Sequence, residues 1–345
     1  MGYIALEYSY DKDIRISMKS LMEEVEYGST FALYNTHEEI IPCASGELRW
    51  VEWNACYGIL SVHIDDGFWK EEFFFEKFLT IFVYNFLDFG HLKLEHIDIQ
   101  QSELKNGIQS YGPLKIPQGK YLLGCIFKPY YHLPLKEKEK QAQLMIDNGI
   151  NVLKNDECFF GTKSDMLEEA CNMAQIVTGK AYYVPNITSY INDDGFIEQL
   201  MDTGVEISMV DILVTGFRPV YQLKKKFPLL KIWGHRIGYA TWQNYVSMQA
   251  LSVLAVLSGI DMLHIGTPTA SLLQEKSKIF KELRALKASF IPIFTKTTPE
   301  VINALLPAFE DKAIYMACGY FRNKEGYIDW NRVHNWCNCF KMFNP

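Results

Sequence analysis

The amino-acid sequence predicts an α/β chain: a small N-terminal α+β domain followed by a C-terminal (β/α)8 barrel. Three observations lead there. The 345 residues, 48% apolar and 22% charged, have an ordinary globular composition and suit about two domains at ~150 residues each. Before residue 115 strand-like and helix-like runs are mixed, as in an antiparallel sheet covered by helices. From Lys120 onward eight short β-rich runs recur with their starts 22 to 32 residues apart, separated by amphipathic stretches. Eight β-then-α units over ~200 residues match the small end of the barrel's size range. The expected boundaries are 1–115 for the α+β (ferredoxin-like) domain and 116–345 for the barrel with a short C-terminal helix.

In order along the chain, Tyr3–Tyr10 is β-rich and Ser17–Tyr27 has helical apolar spacing. Glu47–His63 holds two aromatic β-rich runs, Glu71–Leu87 predicts a long aromatic-rich helix, and Leu92–Ile99 alternates as a strand. The barrel runs are Tyr121–Pro129, Asn151–Asp156, Ala181–Thr188, Glu206–Leu213, Leu230–Arg236, Met262–Thr267, Ile291–Thr297 and Ala313–Tyr320. Between them, one helix is expected to end at Gly149 and another to run from Asp194 to Gly204. Thr298-Pro299-Glu300 supplies an N-cap, a proline at the first helical position and an acid in the first turn. No sequence repeat is visible at a 20–50-residue period, which argues against a solenoid.

Charge and cysteine usage narrow the function classes. With 41 acidic and 34 basic residues the formal net charge is −7, so the basic footprint of a general nucleic-acid binder is missing. A local basic pocket for a small anion remains compatible with it. The most apolar stretches, Phe73–Leu87 (interrupted by Glu76 and Lys77) and Leu251–Ile265 (interrupted by Asp261), fall short of the ~18 uncharged residues of a spanning helix. Without a secretory signal after Met1, the eight scattered cysteines read as reduced thiols of a cytoplasmic protein. Cys337-Asn338-Cys339 has no second pair and makes a poor zinc site.

In a barrel, chemistry sits where strands end and βα loops begin, and polar residues collect there: Lys128, Lys154-Asn155-Asp156-Glu157, Asn186-Ile187-Thr188, His235-Arg236, His264 and Thr295-Lys296-Thr297. Any one alone could be a solvated strand end. Lys154 and Asp156, two apart, share one face of a strand, and Glu157 follows. Two hard carboxylates suit Mg2+. The lysine beside these carboxylates is either an ion-pair partner or an amine carbamylated by CO2 into an anionic oxygen ligand. Lys128 is either an acid/base group with a lowered pKa or a lysine reaching solvent. His235-Arg236 and His264 are candidates for an anion site, Arg offering a bidentate fork to phosphate. His264 alone would otherwise read as a satisfied core histidine.

Taken together, Gly124-Cys125-Ile126-Phe127-Lys128-Pro129, Lys154-Asn155-Asp156-Glu157, His235-Arg236 and His264-Ile265-Gly266-Thr267 resemble the ordered motifs of the RuBisCO large subunit. Residues 245–267 look most like archaeal-type members, and Asn85 falls at an active-site asparagine of the family's N-terminal domain. The resemblance implies a homodimer, or a higher oligomer of dimers, whose site takes residues from the partner's N-terminal domain. It implies Mg2+ held by Asp156, Glu157 and a Lys154 carbamate, which favours the carbamate over the ion pair. It also implies Lys128 as the acid/base lysine, Arg236 and His264 on a substrate phosphate, and His235 near the reacting carbons.

Departures from the carboxylase pattern are equally specific. Tyr130 replaces a second lysine, and loop six reads Pro268-Thr269-Ala270-Ser271-Leu272, the next lysine being Lys276. The glycine-rich turns that cradle a second phosphate are replaced by Thr295-Lys296-Thr297 and Ala317-Cys318-Gly319, whose side chains obstruct close backbone approach. This is the pattern of a RuBisCO-like protein. The expected function is Mg2+-dependent enolisation of a phosphorylated ketose or keto sugar acid with one phosphate, bound in part by Thr295 and Lys296, with an enolase, isomerase or decarboxylase outcome. The methionine-salvage enolases of the family carry a lysine where this chain has Asn85, which argues against that activity. The alternatives are ribulose-bisphosphate carboxylase, a catalytically silent metabolite-binding homologue, and an unrelated metal-dependent barrel such as an aldolase. Nucleic acid and membranes are not expected partners.

Overall fold

The computed structural model describes residues 3–10, 44–47, 51–56, 58–65, 67, 74–88, 92–99, 114, 121–127, 133–156, 161–267, 273–287, 289–306, 313–317, 319–325 and 327–341. It divides into two compact units, Met1–Gln109 with Gly238–Leu254, and Ser110–Ile237 with Ala255–Pro345.

The first unit is built on an antiparallel sheet of β1 (Tyr3–Tyr10), β2 (Ala44–Glu47), β3 (Val51–Cys56), β4 (Ile59–Asp65) and β5 (Leu92–Asp98), in the order β2-β3-β4-β1-β5. Period-two patterning sets its buried face: Ile4, Leu6 and Tyr8 from β1 meet Leu60, Val62 and Ile64 from β4. The helix α1 (Phe74–Phe78) continues as a π-helical stretch, Leu79–Asn85, and a final turn, Phe86–Asp88. Its Phe75, Phe78, Phe82 and Phe86 are buried. The sequence predicts one regular helix here; the wider turn leaves the Phe82 carbonyl to accept the buried Tyr8 hydroxyl. The helix predicted over Ser17–Tyr27 lies outside the described residues.

Gly238–Leu254 joins this unit by backbone pairing that no local pattern announces. The Leu94 N–H donates to the Tyr245 carbonyl (2.8 Å), the Ser247 N–H to the Leu94 carbonyl (2.9 Å), and the Gln249 side chain brackets the Ile97 peptide with two 3.0 Å bonds. Part of the free edge of β5 is thereby covered.

The second unit is the barrel that the sequence predicts. Its parallel strands are β6 (Leu122–Ile126), β7 (Val152–Lys154), β8 (Tyr182–Val184), β9 (Ile207–Asp211), β10 (Lys231–His235), β11 (Met262–Gly266), β12 (Ile291–Phe294) and β13 (Ile314–Met316). They pair in the order β8-β7-β6-β13-β12-β11-β10-β9. A bridge between Asn186 and Met209 closes the ring, with Met209 N–H on the Pro185 carbonyl (2.8 Å) and Ile187 N–H on the Met209 carbonyl (2.9 Å). Following the strands in turn are α2 (Leu135–Asp147), α3 (Lys163–Val177), α4 (Asp194–Asp202), α5 (Phe217–Lys226), α6 (Met248–Leu257), α7 (Leu273–Leu286), α8 (Pro299–Leu305) and α9 (Trp330–Lys341). Thr298 caps α8 as predicted, accepting from the Val301 N–H.

The strands are shorter than the β-rich runs because the polar residues ending each run leave the ladder. Inside the barrel Leu122, Val152, Met209, Trp233, Met262 and Ile293 belong to one packed cluster. Gly124 must be glycine here unless Met316 moves, since a Cβ would lie 2.1 Å from its Sδ.

At the opposite, N-terminal end of the strands sits a buried ionic triad. Asp261 takes Lys224 Nζ on Oδ2 (2.8 Å) and Lys287 Nζ on Oδ1 (2.7 Å), and its Oδ2 also accepts the Ile232 N–H (2.8 Å). Burial lowers the Lys224 pKa from the usual lysine value against the opposing pull of Asp261. Gly259, at φ +99°, makes room: a Cβ there would lie 2.6 Å from Lys224 Cγ.

Candidate active site

Side chains two residues apart in a strand share a face, so the polar positions can be placed by stepping from the barrel core. Val152 leads to Lys154, Val184 to Asn186, Met209 to Asp211, Trp233 to His235, Met262 to His264 and Ile293 to Thr295. Each step ends one layer higher, at the C-terminal end of its strand. Six neighbouring polar residues thus cap the apolar interior.

Lys154 is fully buried, Asp156 is 4% exposed, and the Lys154 ammonium donates to the Asn155 carbonyl (3.0 Å). Among the described residues no three His, Cys, Asp or Glu side chains stand together as a metal site. The donor chemistry nonetheless suits a hard cation: Asp156 contributes one carboxylate, and a carbamate on Lys154 would turn the adjoining buried amine into a second oxygen donor. Glu157 and Lys128 lie outside the described residues, as do Tyr130 and the loop 268–272. Asn85 ends the π-helical stretch of the first unit.

A hydrogen-bonded brace spans four strand ends. Asn155 Oδ1 accepts the Asn186 N–H (2.5 Å), and Asn186 Nδ2 donates to Asp211 Oδ2 (3.0 Å). The Thr188 hydroxyl lies 3.0 Å from the same oxygen, and Asp211 Oδ1 is 2.6 Å from His235 Nδ1. Burial pushes the Asp211 carboxyl upward, but the hydrogen bonds from His235, Asn186 and Thr188 and the nearby His235 charge outweigh it, holding Asp211 below the usual value. Asn186 is one of the expected polar strand ends, though without an assigned role; Asp211 is not among the expected site residues. Stepping by two from Met209 to the last residue of the fourth strand is the signal that finds Asp211.

His264 packs edge-on against His235, with ring centroids 4.9 Å apart, and lies 5.3 Å from the Trp233 ring. Among the described residues its Nε2 has no hydrogen-bond partner, nor have Trp233 Nε1, Asn155 Nδ2 and Ser208 Oγ. Burial, followed by the positive charges of His235, Lys154 and Arg236, pushes its pKa well below the ordinary histidine value. The unfolded chain therefore binds a proton near pH 6.5 that the folded chain refuses, and stability falls as pH drops below that value. Urea unfolding across pH 5–7.5 should show this slope, and His264→Phe should flatten it.

Thr295 N–H donates to the Gly266 carbonyl (3.4 Å), and the next residue turns sharply. Lys296 is exposed and holds φ at +54°, the one positive φ at a non-glycine among the described residues. Thr297 anchors the turn: its N–H and hydroxyl both donate to the Met316 carbonyl (3.1 and 3.0 Å), and the buried Trp336 indole donates to its carbonyl (2.8 Å). Arg236 is half-buried at the end of β10, next to His235.

A closed (β/α)8 barrel whose strand ends carry a buried lysine, carboxylates, histidines and an arginine has the architecture of a barrel enzyme. The model of the ribulose bisphosphate carboxylase large chain catalytic domain matches residues 107–292, and the chain belongs to that family. Among curated relatives, the ribulose bisphosphate carboxylase of Archaeoglobus fulgidus is 26% identical over 224 residues, 56% of this chain and 50% of the relative. That of Thermococcus kodakarensis is 31% identical over 185 residues, 49% of this chain and 41% of the relative. The chain thus spans half or less of the curated relatives it matches. In structure it resembles the octameric ribulose-1,5-bisphosphate carboxylase/oxygenase of Pyrococcus horikoshii OT3 (TM-score 0.75, 18% identity, 99% of this chain and 88% of that one). It resembles a RuBisCO-like protein of Burkholderia fungorum to a similar degree (TM-score 0.72, 15% identity, 100% and 96%). These structural likenesses establish the fold.

Proposed function

We propose that this protein is a non-carboxylating, RuBisCO-like enzyme that enolises a phosphorylated ketose or keto sugar acid. The observation that carries the reading is the polar layer itself, with Lys154, Asp211, His235 and His264 on the inner face at one end of the barrel. Lys154 as its carbamate, Asp156 and Glu157 would hold Mg2+, with CO2 required to form the carbamate. When bound, the metal polarises the substrate carbonyl as a Lewis acid. Arg236 supplies a fixed guanidinium fork for the phosphate. His264, kept neutral by its surroundings, offers the anion a hydrogen bond without titrating near neutral pH. Lys128 and His235 are the groups that move protons at the reacting carbons. The homodimeric or higher assembly, the part of Asn85, and a cytoplasmic setting belong to the same proposal.

Thr295 and Lys296 take part in binding the anionic substrate. The left-handed backbone at Lys296 costs about 1–2 kcal/mol relative to glycine, which favours a role for its ammonium. Lys296→Gly is expected to raise stability by about 1 kcal/mol while weakening binding of an anionic sugar phosphate several-fold. Paired thermal melts and calorimetric titrations with 6-phosphogluconate check both effects.

Enolisation is tested by incubating candidate sugar phosphates with the protein, Mg2+ and bicarbonate in deuterated water. Incorporation of deuterium next to the carbonyl supports the reading, and its absence across ketose phosphates and keto sugar acid phosphates overturns it. Carboxylation is the second reading, favoured by the named activity of the curated relatives. Fixation of labelled CO2 onto ribulose bisphosphate would replace the first reading with the second.

A further inference from the structure

We infer that Asp211 is a positioning residue that fixes His235 as a proton acceptor through its Nε2. The inference rests on reading the barrel mouth as a proton-transfer site, and it assigns a part to a residue that reading leaves unused. The geometry is specific. An ionised carboxylate only accepts hydrogen bonds, so the 2.6 Å contact between Asp211 Oδ1 and His235 Nδ1 requires the proton on Nδ1. In a neutral imidazole the lone pair then resides on Nε2.

The carboxylate cannot swing away from this duty. Its other oxygen is taken by Asn186 Nδ2 and faces the Thr188 hydroxyl, both at 3.0 Å, and the Asp211 N–H donates to Thr188 Oγ1 (2.9 Å). Asn186 is held in turn, accepting the Thr188 N–H (2.9 Å) on Oδ1. On the other side, the His264 ring packs edge-on at 77° and limits rotation of His235. A purely structural tie between β9 and β10 would be redundant, because His235 and Asp211 are already register partners in a five-residue parallel ladder. What the side-chain bond adds is orientation and tautomer, the function an aspartate serves beside a general-base histidine.

The test reads the imidazole directly and needs no substrate. Long-range 1H–15N spectra of protein labelled at its histidine nitrogens should show His235 protonated at Nδ1 and unprotonated at Nε2. Diethyl pyrocarbonate, followed by mass spectrometry of the His235 peptide, should report a nucleophilic Nε2. In Asp211→Asn the amide can present its NH2 to Nδ1, which moves the ring proton to Nε2. Modification should then slow about tenfold or more, with the melting temperature near that of the wild type. Asp211→Glu restores a carboxylate and should recover the wild-type tautomer and much of the rate. Protonation at Nε2 in the wild type, or equal modification rates in wild type and Asp211→Asn, would overturn the inference. Should Asp211→Asn not fold, the wild-type spectrum decides alone. Failure of the enolisation reading shows separately, as absent deuterium uptake alongside an intact Nδ1–H signature.

Discussion

Replacing Lys154 by alanine is expected to abolish Mg2+-dependent deuterium exchange, a loss of about a thousandfold or more. That corresponds to roughly 4 kcal/mol of barrier, the scale of removing a metal's polarising effect. Lys154 is fully buried in the barrel interior beside Asp156, which is 4% exposed. An amine in that position serves either as a buried cation or, after reaction with CO2, as an oxygen donor. Lys154→Arg separates the two. Arginine keeps the positive charge and a long side chain, but its guanidinium does not form the carbamate. If the charge alone matters, Lys154→Arg retains much of the exchange; if the carbamate matters, it is as inactive as Lys154→Ala. Steady-state exchange in deuterated water, with circular dichroism to confirm folding, checks the outcome.

Asp261→Ala is expected to be the most destabilising single change in the barrel, by about 3–5 kcal/mol. Two lysines share this carboxylate, and all three side chains are 9% exposed or less. Removing it leaves both ammonium groups buried without their counter-charge and the Ile232 N–H without its acceptor. For a chain of this size the melting temperature should fall by about 4–7 °C. The triad sits at the N-terminal ends of the strands, so catalysis measured well below the melting temperature should survive. Replacing all three members with apolar residues of similar volume should recover much of the loss, because an ion cluster stabilises little over good packing. Calorimetric melts of the single and triple variants check both statements.

The barrel was legible because its signal is local and repeated. The barrel strands are short, mostly apolar runs of three to five residues, and some helices carry a start or stop of their own, as Thr298-Pro299 does for α8. Strand ends were less legible: Asn186 and Thr188 lie in a β-rich run, yet their side chains leave the ladder to meet Asp211. Asp211 itself was hidden because Val210-Asp211-Ile212-Leu213 reads as one apolar strand with a lone charge. Its partners Asn186 and His235 lie 25 and 24 residues away. The triad was hidden in the same way. Lys224 sits in Lys224-Lys225-Lys226, which reads as a solvated helix end, and Asp261 as a mere interruption of an apolar stretch. The pairing of Ser247 and Gln249 with β5, 152 residues away, has no local signature at all. Lys296 was legible as a polar strand end, but its left-handed backbone was not, since lysine gives no hint of a conformation that glycine ordinarily takes.

Lys154 is proposed to carry CO2 as a carbamate that helps hold Mg2+. The most direct measurement is 13C NMR of the protein in 13C-bicarbonate, with and without Mg2+. A carbamate resonance is expected, distinct from free bicarbonate and CO2, that strengthens on adding Mg2+ and is missing in Lys154→Ala. A spectrum with no such resonance, together with Mg2+ binding that is indifferent to bicarbonate, would contradict that proposal.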